Sequence, residues 1–199
     1  LYERLLARGK VPSGAFGRDR LQVLVRAVLP YARLWQQGVD STALHSLACQ
    51  VEIDGIQVHG RIADVLDDRV PRLRIGKRNA STVVRNGLDW LLLAASGQGR
   101  ELWQLYQGED DKLGPYLQPA LDEQAAKDAL RQLVRLYLQG LQQPLPYAPR
   151  TALAIFQAAA DERQEAAASS WYGSDYSYAE AGEDSVDPWI VERPRVLQT

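Results

Sequence analysis

The sequence predicts a mixed α/β domain of the α+β kind, a mixed sheet flanked by helices, and three observations carry that expectation. Two alternating apolar and polar runs, Leu47–Ile53 and Ile56–Ile62, meet at Asp54-Gly55, and aspartate-glycine between such runs signals a two-residue hairpin because glycine accepts positive φ. A third alternating run, Arg72–Lys77, follows. Around these runs lie stretches whose apolar residues recur every three or four positions, the period of one helix face.

With Asp54-Gly55 as the turn, Ile53 faces Ile56, Val51 faces Val58, Cys49 faces Gly60 and Leu47 faces Ile62. All eight point to one side, and a slip of one residue would send one strand's apolar set to the other. The opposite face carries Gln50, Glu52, Gln57, His59 and Arg61. The loop Asp67 to Pro71 leads into the third strand, where Leu73, Ile75 and Lys77 share a side.

Before the hairpin, Leu1–Arg8 carries a short helical pattern, which the glycines and proline between Gly9 and Gly17 interrupt. From Asp19 a helix is expected with Leu21, Leu24, Val25, Val28, Tyr31 and Trp35 on its apolar face, kinked at Pro30 and ended by Gly38. Beyond the third strand, Ala80, Val83, Val84, Gly87, Leu88, Leu91 and Ala95 form a second stripe, predicted to pack on the hairpin. Glu101–Gln107 has large side chains on both parities, as a central strand does, and Gly108 to Asp111 turns the chain. A third helix is expected over roughly Pro119 to Gln139, with Ala126, Ala129, Leu130, Leu133, Leu136 and Tyr137 inward. Pro144 to Pro149 reads as extended, Thr151 to Ala168 as helix, and the segment past Trp171 as irregular. A core domain of residues 1–170 followed by an irregular 171–199 segment is the expected organisation.

Composition narrows the function classes. The chain has 199 residues, a net charge of −2 and a pI near 5.8, so no global basic character advertises a nucleic-acid binder. A local basic edge remains compatible with that balance. The single cysteine, Cys49, falls on the apolar face and reads as a small buried hydrophobe in a reducing compartment. No run of about 18 apolar residues and no leader pattern appears, so a cytoplasmic protein without a membrane segment is expected. The chain opens on Leu1 and contains no methionine, from which we expect a piece of something larger.

The order helix, three-stranded meander, helix, strand resembles the restriction-endonuclease-like nucleases. There, an acid on the second strand and another two residues before a lysine on the third hold the magnesium that activates water. The second-strand motif, glycine with aspartate three later, reads here Gly60 and Ala63; the third reads Ile75-Gly76-Lys77. Only the lysine remains, and a lysine alone neither binds the cation nor generates hydroxide, so a catalytically degenerate, non-enzymatic domain is expected. Asp64 is the obvious replacement, but the register sets it opposite His45 and turns it to the other face unless a bulge intervenes. His45 and His59 stand on opposite faces, which excludes a shared zinc site. No metal and no cofactor are assigned, and no P-loop, dinucleotide fingerprint or serine elbow is present. Arg72, Arg74, Lys77, Arg78 and Arg85 concentrate positive charge around the third strand and the next helix. They are candidate DNA contacts; a solvated helix end is the plainer alternative.

Four stretches add a resemblance: Val11 to Gly17; Trp90-Leu91 with Ala95-Ser96-Gly97; Gly140 with Pro144 to Pro149; and Trp171, Gly173, Gly182-Glu183 and Asp187-Pro188. The chain resembles the RecC C-terminal domain family, part of the gamma subunit of exodeoxyribonuclease V, the RecBCD helicase-nuclease. The resemblance implies a nuclease-like domain without catalytic acids, consistent with Ala63 and Ile75. It also implies RecB and RecD as partners, and a role in splitting duplex DNA or guiding its strands during recombinational repair of double-strand breaks. Two other readings stay open: a magnesium-dependent nuclease using Asp64, and a protein-interaction module without DNA contact.

Overall fold

The hairpin forms in the register that its alternation dictates. In the computed structural model, β1 (His45–Ile53) and β2 (Ile56–Val65) pair antiparallel, with Ile53 opposite Ile56, Val51 opposite Val58, Cys49 opposite Gly60 and Leu47 opposite Ile62. Asp54 at φ 49° and Gly55 at φ 80° supply the left-handed pair of a tight turn. Cys49 is buried. The structure describes residues 1–108, 110–143, 145, 148–173 and 182.

At the far end the ladder slips, and His45 pairs with Val65 rather than with Asp64. Asp64, at φ 55°, is the extra residue of a bulge. The cause is packing: Ile62 and Val65 are both in the core, and two intervening residues, Ala63 and Asp64, are turned outward so that Val65 can return to it.

The third run does not continue a meander. β3 (Arg69–Lys77) pairs parallel with β4 (Glu101–Gln107), and β4 pairs antiparallel with β5 (Leu113–Gln118), so the described strands form two sheets, β1-β2 and β3-β4-β5. Parallel neighbours need a crossover, and α3 (Ala80–Ala95) supplies it. The chain reverses after β2 through the Leu66 N–H, which donates to the Arg69 carbonyl, while Arg100 Nε donates to the carbonyls of Leu66 and Asp67. These bonds set the start of β3 beside β4.

β4 is the central strand its sequence predicts, with Leu102 to Tyr106 all buried. On one face, Trp103 and Leu105 meet Tyr31, Leu34, Trp35 and Val39, contributed by α2 (Gly14–Gly38) and its C-cap. Trp35 meets Trp103 edge-on, with centroids 5.7 Å apart. On the other face, Leu102 joins Val70 and Leu93 with Cys49, Ile62 and Val65 of the hairpin. Nearby, Val51, Ile53, Ala94 and Ala95 pack against Ala126 and Leu130 of α4 (Glu123–Gln142).

Helix ends and faces depart from expectation where packing overrides pattern. α1 spans Tyr2–Ala7, and α2 begins at Gly14, runs through Pro30 and ends at Gly38 as predicted. Its N-terminal apolar residues, Leu24, Val25 and Val28, are exposed. In α3, Val84 and Leu88 are exposed while Leu93, Ala94 and Ala95 meet the hairpin. In α4 the inward row is Ala126, Leu130 and Val134, leaving Leu133, Leu136 and Tyr137 exposed. The last helical stretch divides into α5 (Pro149–Gln157) and α6 (Arg163–Tyr172), and Trp171, buried in α6, lies inside the segment expected to be irregular. Glu109, Pro144, Pro146, Tyr147, 174–181 and 183–199 lie outside the described residues. Among the described residues no helix is long and apolar enough to cross a membrane.

Candidate nucleic-acid interface

The five basic candidates occupy three different environments, because β3 alternates and then bulges. Arg72 and Arg74 point toward α3 and are half-buried, whereas Leu73, Ile75 and Lys77 share the outward side. Between Leu73, opposite Leu105, and Lys77, opposite Gln107, β3 carries three residues where β4 carries one. Gly76, at φ 89°, makes that bulge, and its N–H donates to the Tyr31 hydroxyl at 2.9 Å. Lys77 is thereby displaced from the line of Leu73.

Arg72 is the most constrained of the five. Its Nη2 donates to Asp89 Oδ2 on α3 at 2.9 Å, and its Nη1 donates to the carbonyls of Asp64 at 3.2 Å and Ala63 at 3.4 Å. The guanidinium therefore ties the bulge of β2 to α3. Arg74 donates to the Lys77 carbonyl and to Thr82 Oγ1, whose N–H is capped by Asn79. It closes the turn from β3 into α3.

Two clefts flank these residues. The first, about 380 Å³, is walled by Arg61, Ala63, Asp64, Arg72, Arg85 and Asp89, with Trp35 and Asn86 at its sides. Arg61 and Arg85 are exposed and have no ion-pair partner among the described residues. The second, about 530 Å³, is lined by Lys77, Arg78, Tyr106 and Tyr116. Both cations of its lining are already engaged, Lys77 paired with Asp111 at 3.0 Å and Arg78 lying 4.3 Å over the Tyr106 ring, while Lys112 beside it pairs with Asp110 of the rim at 2.8 Å. Tyr106 in turn stacks on Tyr116 at 4.2 Å. The hydrogen bond from Lys112 holds the Asp110 carboxyl below its ordinary value and keeps a negative charge on that rim.

The three positions that the sequence aligned with a nuclease pattern do not converge in one cleft. Ala63 lines the first and Lys77 the second, while the Ile75 side chain is exposed. Among the described residues no group of three or more His, Cys, Asp or Glu side chains is placed to hold a metal ion. Asp64 does reach the Ala63 cleft, through the bulge, but the second carboxylate there, Asp89, is occupied by Arg72. Arg61 and Asn86 belong to this cleft and were not among the sequence candidates. Arg61 reads as one more polar residue on the outer face of β2, and Asn86 is a polar residue among the apolar positions of α3, the one signal that pointed to it.

A model of the RecC C-terminal domain matches residues 1–160. The chain belongs to the RecC C-terminal domain family. The match includes every residue of both clefts. It also includes the Val11–Gly17 and Pro144–Pro149 stretches, and ends before Trp171. Curated proteins yield no match to this RecC C-terminal domain. Seven chains of solved structures match it. One, titled "Crystal structure of SSO0001", is 12% identical with a TM-score of 0.38, and the match covers 64% of this chain and 63% of that one.

Proposed function

We propose that this RecC C-terminal domain is a non-catalytic, restriction-endonuclease-like module of a RecBCD-type repair complex. It docks RecB-like and RecD-like subunits, and it helps to split or guide DNA strands during recombinational repair of double-strand breaks in the cytoplasm. The proposed core is residues 1–170. Arg72, Arg74, Lys77, Arg78 and Arg85 are the candidate DNA contacts, with Arg85 the most available and Arg72 the least.

The observation that carries this reading is the Arg72 guanidinium, bonded to the carbonyls of Ala63 and Asp64 and to Asp89. A fixed positive group with oxygen partners stands beside Ala63, where a metal-dependent nuclease would need oxygen ligands around a cation. A divalent ion placed there would be repelled by the guanidinium and would find one carboxylate already paired. The same geometry weighs against a magnesium nuclease built on Asp64.

The test is reconstitution of the whole subunit with RecB-like and RecD-like partners, with and without residues 1–170. The expected result is a heterotrimer that unwinds duplex DNA only when the domain is present. Assembly and unwinding at undiminished levels without it would refute the scaffold reading. Salt-insensitive unwinding and DNA retention by the complete complex would favour a protein-interaction module without DNA contact, since phosphate contacts weaken steeply with salt.

A further inference from the structure

The Ala63 cleft contains an amide that the protein itself does not use. Asn86 is 6% exposed, on the inner side of α3, and its side chain makes no hydrogen bond to any described residue. No fully buried side-chain nitrogen or oxygen is left unsatisfied among the described residues, so the Asn86 amide keeps contact with the open cleft that it lines. An asparagine carries two N–H donors and one acceptor, and a helix that buries one against a cleft aims those groups at whatever fills it.

The charges around that amide select the occupant. Arg61, Arg72 and Arg85 bring three guanidiniums and Asp64 and Asp89 two carboxylates, leaving one net positive charge. Arg72 is fixed by Asp89 and the backbone carbonyls, whereas Arg61 and Arg85 keep their donor forks for a ligand. Guanidinium forks match phosphate oxygens two at a time. Trp35, packed edge-on against Trp103 on its core side, also borders the cleft, and base–aromatic stacking accepts any base. A bare anion has no use for that wall.

We propose that the cleft between β2, β3 and α3 binds one phosphodiester of a single DNA strand, with Arg61 and Arg85 as charged contacts, the Asn86 amide as hydrogen-bond donor and Trp35 beneath the adjacent base. This rests on the DNA-guiding reading and assigns that function to one of the two clefts. The Tyr106 cleft is not the site: its cations are neutralised or stacked, and Asp110 adds a carboxylate to its rim.

The experiment follows the Asn86 side-chain amide, the Arg85 Nε–H and the Trp35 indole N–H by NMR in the intact 199-residue chain. It is titrated with the oligonucleotide dT8 and, separately, with inorganic phosphate. The proposal expects dT8 to move all three signals at concentrations where phosphate does not. It also expects Arg85→Gln or Arg61→Gln each to lower the slope of log affinity against log salt by about 0.7, one phosphate's share on a single strand. Arg85→Lys should keep that slope.

Equal response to phosphate and dT8 would make this a free-anion site and overturn the proposal. Shifts confined to Lys77, Arg78 and Tyr106 would overturn the cleft assignment while leaving the DNA-guiding reading standing. Binding of dT8 nowhere on the chain would remove both. Because the three signals are read in the unsubstituted chain, the outcome does not depend on a variant folding.

Discussion

The Arg72 guanidinium on β3 donates to the Asp89 carboxylate on α3 at 2.9 Å, and the same guanidinium reaches back to the carbonyls of Ala63 and Asp64. Three elements meet on one side chain that is 14% exposed. The convergence of carboxylate and carbonyl oxygens from β2 and α3 is organised by this one arginine.

Removing that arginine strands a half-buried carboxylate and two carbonyls. Arg72→Leu is expected to cost about 2 kcal/mol in urea unfolding. Asp89→Asn should cost less, since the amide still accepts a hydrogen bond. The double variant should fall short of the sum of the singles by about 1 kcal/mol. Strict additivity would show that the two groups do not act together.

The hairpin tip is held by charge. Arg131 Nε donates to Asp54 at 3.0 Å and Arg135 Nη2 at 3.3 Å, joining the turn to α4. The Arg131 hydrogen bond lowers the Asp54 carboxyl below its usual value. A depressed folded value means stability present above the unfolded value, about 3.9, and lost as pH falls through the folded one. Asp54→Asn is therefore expected to lower the melting temperature at pH 7, with the deficit shrinking as pH falls below the unfolded value. A difference that is constant with pH would place the effect in the turn rather than in the ion pairs.

Two glycines should respond in opposite directions to alanine. A Cβ on Gly17 would sit 1.8 Å from the Pro12 carbonyl oxygen, which accepts the Tyr2 hydroxyl at 3.0 Å. That contact explains the glycine closing the Val11–Gly17 stretch, and Gly17→Ala is expected to cost about 2 kcal/mol through overpacking. A Cβ on Gly87 in α3 meets nothing within 4 Å. Gly87→Ala should stabilise by about 0.5–1 kcal/mol, the propensity difference inside a helix. Calorimetry on both variants separates the effects.

The parts of the fold legible in the sequence were those where two constraints agree. The hairpin register follows because turn chemistry and alternation specify the same pairing, and β4 follows because a strand with large residues on both parities has to be covered on both faces. β5 was not legible: Leu113 to Gln118 contains a glycine and Pro115, has little alternation, and survives as an edge strand where proline leaves no ladder bond missing. The meander expectation failed although its correction was at hand, since a strand, a 16-residue helix and a strand make a parallel crossover. The Asp64 bulge arises from the need to bury both Ile62 and Val65, which alternation cannot register.

For the candidate site, charge chose Arg72, Arg74, Lys77, Arg78 and Arg85, but charge does not know about partners. Asp89, Thr82, Asp111 and Tyr106 engage four of them and leave Arg85. Arg61 and Asn86 emerged only when β2 and α3 were brought to one cleft.

The most direct measurement incubates the intact chain with linear DNA and magnesium, beside Lys77→Ala, and follows the appearance of cleaved product. The proposed non-catalytic reading expects the DNA to stay intact and the two proteins to be indistinguishable. Magnesium-dependent cleavage abolished by Lys77→Ala would contradict the account.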